Sequence, residues 1–145
     1  MIIKIHTISA TGFLLLCVGN IGWILYLLAG GELILPSTLT HIGGFLIGLY
    51  VILKNGIPNH TYLYSLFCFA FLQLLARLTT NSQENVNLAF KIQEGWESLF
   101  PSYPIYLIFI YTLLLISFFG IEYSIQKLNF SFYFKKENQE HHEKN

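Results

Sequence analysis

Charged residues are scarce in this chain. Of its 145 residues 8 are basic and 8 acidic, and these types make up 11% of the sequence, against roughly 25% in an average globular domain. A soluble helical domain of this size needs charged helix faces, so the shortage excludes an ordinary water-soluble bundle. The formal net charge is zero. Without a basic stripe, nothing indicates nucleic-acid binding.

Cysteine is also rare, and the common catalytic motifs are missing. Cys17 and Cys68 lie inside apolar runs, where they act as small packing residues and imply no disulfide framework. The sequence has no phosphate-binding loop, no paired carboxylates within the apolar runs and no metal-ligand spacing. No Gly-x-Ser turn offers His41 a nucleophile to activate. We therefore expect a protein without enzymatic activity, and predict no cofactor and no metal site.

The chain has instead four long, uncharged apolar runs. At about 1.5 Å of rise per residue, each run with its polar ends is long enough for a helix to cross a hydrocarbon core of about 30 Å. They predict an all-α membrane protein with four transmembrane helices in an up-down bundle, forming a transmembrane domain over residues 1–127. The predicted spans cover residues 8–31, 34–54, 61–78 and 104–125.

The longest connection, between the third and fourth spans, has an amphipathic pattern. Apolar residues recur there at steps of three and four, which predicts an interfacial helix over about residues 82–100. Such a helix lies in the membrane surface, covers a cavity or binds a partner. Its predicted apolar face consists of Val86, Ala89, Ile92, Trp96 and Leu99.

The segment after the fourth span, residues 128–145, is expected to lie outside the membrane. Apolar and polar residues alternate over 128–134, which predicts a short extended juxtamembrane segment on the lipid headgroups. The polar composition from residue 137 onwards predicts a disordered tail.

The distribution of basic residues predicts the orientation of the chain. Six lysines fall on the side of the two termini, whereas Arg77 and Lys91 fall on the opposite side. Because cytoplasmic segments carry the excess of lysine and arginine, both termini are expected in the cytoplasm. The predicted location is a bacterial inner membrane or the membrane of an organelle.

The second span begins with a stripe of small residues. Thr40, Gly44 and Gly48 are spaced by four residues, so they share one helix face that another backbone can approach closely. We call these three residues the glycine stripe. The first span offers a matching surface, made of Gly12, Gly19 and Gly22. The pattern predicts a tight first hairpin or, alternatively, contact between two copies in a homodimer.

A few polar side chains in and near the spans are expected to converge. Gln73 and Arg77 share one face of the third span, and Asn20 lies at the depth of Gln73 when successive helices alternate in direction. An arginine near hydrocarbon needs a polar partner or water, so Arg77 either faces this cluster or extends to the headgroups. The predicted polar cluster consists of Asn20, Glu32, His41, Gln73 and Arg77.

Three functions are compatible with these features. The first is a non-enzymatic accessory, assembly or immunity-type subunit that binds a membrane partner through the glycine stripe or the interfacial helix. The second is a dimeric transporter of small solutes or ions, with the polar cluster lining an outward vestibule. The third is a haem- or quinone-associated membrane subunit, with His6 and His60 as haem ligands. The expected partners are the lipid bilayer and a membrane protein or a second copy of the chain, with no nucleic acid.

Overall fold

The structure, a computed structural model, describes the backbone of residues 2–28, 30–83 and 85–142, and within these ranges the side chains from residue 6 to residue 128. Over these residues it is helical and contains no strand. A π-helical turn joins α2 to α3, and a single 3-10 turn lies between α4 and α5. The elements are α1 (Ile2–Leu28), α2 (Leu35–Thr38), the π-helical turn (Leu39–Gly43), α3 (Gly44–Asn55), α4 (Thr61–Thr79), the 3-10 turn (Val86–Leu88) and α5 (Tyr103–His142).

Among the described residues, four helical segments are long and apolar enough to cross a membrane, which confirms the predicted number of apolar helices. The second of them combines α2, the π-helical turn and α3 into one span. The four segments are His6–Leu28, Leu35–Asn55, Thr61–Thr79 and Tyr103–Leu128.

The end of α1 is a turn that requires glycine. Gly30 has a φ of 90°, in the left-handed region where a residue with a Cβ is strained. Its N–H donates to the carbonyl of Leu27, and the N–H of Gly31 donates to that of Tyr26, both at 3.0 Å. These are the two hydrogen bonds of a Schellman motif. Pro36 follows in the first turn of α2, where its fixed φ suits the start of a helix.

The central helix is α1, which packs against α3, α4 and α5, while α4 also packs against α5. Enclosed side chains at these contacts include Leu14, Ile52, Tyr106 and Phe118. Many other large apolar side chains of the four spans are exposed in the isolated chain. This is the distribution expected of helices whose outer faces contact lipid tails rather than water.

The helix predicted over residues 82–100 is not formed in the described part of that segment. Only Val86–Leu88 forms a single 3-10 turn there, and turns and bends follow it. Asn87 and Leu88 have φ values of 53° and 57°, and Gly95 has a φ of 85°. These left-handed conformations do not fit in a right-handed helix. In a helix, the carbonyls of this segment would accept hydrogen bonds from its own backbone. Here the carbonyls of residues 87–89 accept hydrogen bonds from side chains of α4 and α5.

The last helix extends further than predicted. The backbone of α5 is helical through His142, where an extended segment over 128–134 and disorder after it were expected. No glycine or proline follows Gly120, so the sequence contains no residue that stops the helix at the end of the span. The end of the predicted disordered tail, residues 143–145, lies outside the described residues.

Candidate functional site

The five residues of the predicted polar cluster do not form one group. Asn20 and His41 join α1 to the π-helical turn, whereas Gln73 and Arg77 join α4 to the loop before α5. Glu32 is exposed, and its backbone N–H donates to a tyrosine hydroxyl of α1 at 3.2 Å. Two separate hydrogen-bonded groups therefore stand in place of the single predicted cluster, one between α1 and the π-helical turn and the other between α4 and the loop.

His41 is held by two residues of α1. Asn20 Nδ2 donates to the backbone oxygen of His41 at 3.1 Å, which leaves Asn20 Oδ1 as an acceptor 3.1 Å from His41 Nδ1. In the neutral ring, Nδ1 therefore carries the proton and Nε2 the lone pair. The indole of Trp23 stacks on the imidazole, with ring centroids 5.4 Å apart and planes at 11°. Asn20 and Trp23 together fix the His41 ring.

Gln73 is buried in α4, and both ends of its amide are used. Its side chain is 6% exposed. Nε2 donates to the backbone oxygens of Asn87 at 3.2 Å and Leu88 at 3.1 Å. The hydroxyl of Tyr111 in α5 donates to Oε1 at 2.8 Å. Gln73 thus links α4 to both α5 and the loop.

Arg77, one turn further along α4, binds the same loop. Its Nε donates to the backbone oxygen of Ala89, and its Nη2 donates to the hydroxyl of Tyr103 at 2.9 Å. The guanidinium carbon lies 5.5 Å from the centroid of the Tyr103 ring, a cation–π distance. The Tyr103 hydroxyl in turn lies 2.9 Å from the oxygen of Leu88 and 2.7 Å from that of Ala89, to which it donates.

Three consecutive loop carbonyls are therefore held by side chains of two helices. The carbonyls belong to residues 87–89, and the donors are Gln73, Arg77 and Tyr103. We call these three donors the loop clamp. Tyr103 and Tyr111 are not among the predicted site residues. Their spacing of two helical turns, facing Gln73 and Arg77 across the hairpin, is the signal in the sequence that points to them.

Of the apolar residues predicted for an interfacial helix, two are buried or packed against the core and three are exposed. Ala89 is buried and Ile92 packs against the core. Val86 is 37% exposed, Trp96 40% and Leu99 68%. We call these three exposed residues the loop face.

The ring of Trp96 packs against an aromatic cluster at the start of α5. Its ring stacks on that of Phe100, with centroids 6.3 Å apart and planes at 16°, and meets the buried ring of Tyr106 edge-on at 6.4 Å. Phe100 meets Tyr106 at 5.1 Å as well. Trp96 is thereby fixed on the start of α5 while part of its surface stays exposed.

Gly44 and Gly48 of the glycine stripe pack against α1 within the same chain. A Cβ atom added at Gly44 would lie 3.0 Å from Leu16 Cδ1, and one added at Gly48 would lie 3.1 Å from both Cβ and Cδ2 of Phe13. Real Cβ atoms rarely approach other atoms so closely. The two glycines therefore allow the close contact between α1 and α3, and the contact at Gly48 involves atoms next to the backbone of Phe13.

The other residues predicted to take part in helix packing have looser surroundings. A Cβ added at Gly12 or Gly22 would meet no described atom within 4 Å beyond its chain neighbours and the adjacent backbone of its own helix, and one added at Gly19 would lie 3.8 Å from Cε1 of His41. The hydroxyl of Thr40 donates to a carbonyl of its own helix at 2.9 Å. The surface that faces the stripe is thus made of side chains of α1 and not of its glycines.

Glu122 of α5 caps the start of α4, at the end of the hairpin away from the loop. Its carboxylate, 5% exposed, accepts the backbone N–H of His60 at 2.8 Å and that of Tyr62 at 2.7 Å. The first N–H groups of a helix have no partner within the helix and carry partial positive charge, so a carboxylate stabilises them. Gln126 Nε2 also donates to this carboxylate, at 3.3 Å.

The two histidines predicted as alternative haem ligands have other contacts. His6 Nε2 lies 2.9 Å from the backbone oxygen of Gly56. The ring of His60 lies 6.3 Å from that of Tyr62, and its backbone belongs to the cap of α4. No group of three or more His, Cys, Asp or Glu side chains that could hold a metal occurs in the part of the chain that the structure describes.

The side chains of the loop clamp bind backbone carbonyl groups. Gln73, Arg77 and Tyr103 donate to carbonyl oxygens, an arrangement that orders a loop and contains no nucleophile paired with a base.

Comparisons of the chain with protein-family models, with curated proteins and with solved structures give no match.

Proposed function

We propose that this protein is a non-enzymatic subunit of a membrane assembly, which binds a membrane-protein partner through the loop face. The observation that carries the proposal is the loop clamp: side chains of two apolar helices hold three consecutive carbonyls of the loop between α4 and α5. Polar side chains are few in these helices, and these three are all directed to the same loop.

A loop held in this way is suited to binding. Loops longer than about 12–15 residues with little secondary structure are uncommon in compact domains and are often functional. Fixing the loop before binding lowers the entropy lost when a partner docks. The loop face also presents Trp96, a residue type enriched among those that dominate binding energy.

Two further features favour the loop over the alternative surfaces. Gly44 and Gly48 contact side chains of α1, which supports packing within the chain over a contact with a second copy. Gln73 and Arg77 donate to the loop carbonyls, which supports a structural role for them over the lining of a solute vestibule. An accessory or assembly subunit is thus favoured over a dimeric transporter.

In this proposal the four spans cross a bacterial inner membrane or an organellar membrane in up-down order, with both termini in the cytoplasm. The lysine distribution supports this orientation. A cysteine introduced at Glu94, in the loop, is expected to react with a membrane-impermeant thiol reagent in intact cells. One introduced at Glu140 is expected to react only after lysis. Cys17 and Cys68 are replaced by serine in both variants, and the opposite labelling pattern would reject the orientation.

Substitutions in the loop face are expected to release the partner. Wild-type protein extracted from its native membrane in mild detergent should elute as a complex larger than the 16.7 kDa chain in its micelle. Loss of a dominant aromatic contact weakens binding by about 2 kcal/mol or more, which is about 30-fold. Trp96→Ala and Leu99→Ser should therefore elute mostly as the free subunit, as measured by size-exclusion chromatography with light scattering.

The matched controls are Tyr123→Ala and Leu53→Ser, which alter exposed apolar residues far along the chain from the loop face. Both should keep the complex. The mass of the complex separates a second copy of this chain from a different protein. Wild-type protein that elutes as a monomer, or loop-face variants that keep the complex, would contradict the proposal.

A further inference from the structure

Arg77 has hydrogen-bond donors that the chain does not use. A guanidinium carries five N–H donors in a planar fork. The Nε donor is bound by Ala89 and one Nη2 donor by Tyr103. Both Nη1 donors and the second Nη2 donor have no acceptor among the described residues. The unused edge of the guanidinium is the one formed by Nη1 and Nη2.

The charge of Arg77 also has no carboxylate partner in the described part of the chain. Its contacts there are the carbonyl of Ala89 and the hydroxyl and ring of Tyr103, all uncharged. The side chain is exposed. A cation within a membrane span is costly unless it meets water or an anion, so an anion that the described residues do not supply is the natural complement.

The position of Arg77 indicates which anion is available. It lies in the last turn of α4, whose span ends at Thr79. The end of a span is the level at which hydrocarbon gives way to headgroups, and phosphate is the anionic group common to phospholipid headgroups. Two parallel N–H donors on one guanidinium edge match two oxygens of a phosphate.

We infer that Arg77 binds the phosphodiester of a phospholipid headgroup, with Tyr103 and the carbonyl of Ala89 as the groups that orient its guanidinium. The site differs from an arginine that merely extends to the surface, because that side chain would be free to rotate. Here the Nε and Nη2 donors and the ring of Tyr103 fix the plane of the fork, and the unused edge is held in one direction. The inference is independent of any protein partner.

The test uses the fact that Arg77 is the single arginine of the chain. Arginine labelled with ¹³C at Cζ gives one signal, and solid-state ¹³C–³¹P dipolar recoupling in phosphatidylglycerol bilayers measures the distance from Cζ to phosphorus. A bidentate pair with N–O distances of about 2.7–2.9 Å corresponds to a Cζ–P distance of about 4 Å. We expect that distance in the unmodified protein. Absence of ¹³C–³¹P coupling in these bilayers would overturn the inference.

A second arm separates the two sources of phosphate. The protein is placed in bilayers of a phosphate-free glycolipid, with and without inorganic phosphate in the buffer. We expect no short distance in either sample, which assigns the site to the lipid. A distance of about 4 Å that appears with inorganic phosphate would keep the phosphate chemistry and overturn the assignment to lipid.

Two variants test whether the site is built. Tyr103→Phe keeps the aromatic ring and the contact of Nε with Ala89 and removes the hydroxyl that binds Nη2, so the coupling to phosphorus should weaken. Tyr111→Phe is the matched control, because the same change on the same helix affects the hydroxyl that binds Gln73. It should keep the coupling. Equal coupling in wild type and both variants would show that the arginine reaches phosphate without being oriented, which would overturn the built site.

Discussion

Glu122→Ala is expected to lower the free energy of unfolding by about 2–4 kcal/mol. The change removes the acceptors of two backbone N–H groups at the start of α4, those of His60 and Tyr62. Hydrogen bonds to a charged group contribute about 1.5–3 kcal/mol each, and a buried donor left without an acceptor keeps its desolvation penalty. Denaturant unfolding in mixed micelles, followed by circular dichroism and tryptophan fluorescence, measures the loss.

Two further substitutions test this effect, one as an intermediate change and one as a control. Glu122→Gln keeps the length of the side chain and one acceptor oxygen, so it should lose about half as much as alanine. Ser124→Ala removes an exposed hydroxyl that binds only a carbonyl of its own helix, at 2.7 Å. It should change stability by less than about 0.5 kcal/mol. If Glu122→Ala and Ser124→Ala gave equal values, the carboxylate would have no capping role.

Gly48→Leu is expected to have the second large effect on stability. A Cβ at this position would lie 3.1 Å from Cβ of Phe13 and 3.5 Å from its Cα. Because these atoms belong to or adjoin the backbone, rotation of the Phe13 ring does not relieve the clash, and α1 and α3 must separate. Overpacking by a few atoms costs about 1–3 kcal/mol, so Gly48→Ala should lie in that range and Gly48→Leu above it. The melting temperature in detergent measures both.

Gly12 supplies the matched control. A Cβ added there would meet no described atom within 4 Å beyond its chain neighbours and the adjacent backbone of α1. Gly12→Ala should be neutral or stabilising by up to about 1 kcal/mol, because alanine favours helix, and Gly12→Leu should be tolerated. Light scattering on the same samples tests the homodimer alternative. A lower mass for Gly48→Leu with an unchanged melting temperature would mean that the glycine contact joins two chains and is not internal.

The four helices could be predicted because a bilayer selects for one local property, a sustained apolar run. The loop between α4 and α5 could not, although Val86, Ala89 and Ile92 follow a helical period. The carbonyls of residues 87–89 are bound by side chains 12 to 15 positions away in sequence. Helical periodicity contains only local information, and tertiary hydrogen bonds outweighed it here.

The grouping of the polar residues failed for a different reason. Rise per residue gives the height of Asn20 and Gln73 along their helices, and it does not give their direction around the helix axis. Asn20 faces the π-helical turn before α3, whereas Gln73 faces α5 and the loop. The capping of α4 by Glu122 was beyond prediction as well, because donor and acceptor are about 60 residues apart.

The π-helical turn at Leu39–Gly43 rotates the second half of the second span around the helix axis relative to the first half. A π turn in an α-helix amounts to one added residue, which rotates everything after it by about 100° around the axis. His41 lies within this turn and Gly48 after it, yet both meet α1. A chain without the added residue would keep the hydropathy that suits the span to a bilayer. In that chain, however, either His41 or Gly48 would no longer face α1. Membrane insertion and helix packing are therefore encoded by separate properties of the same 21 residues.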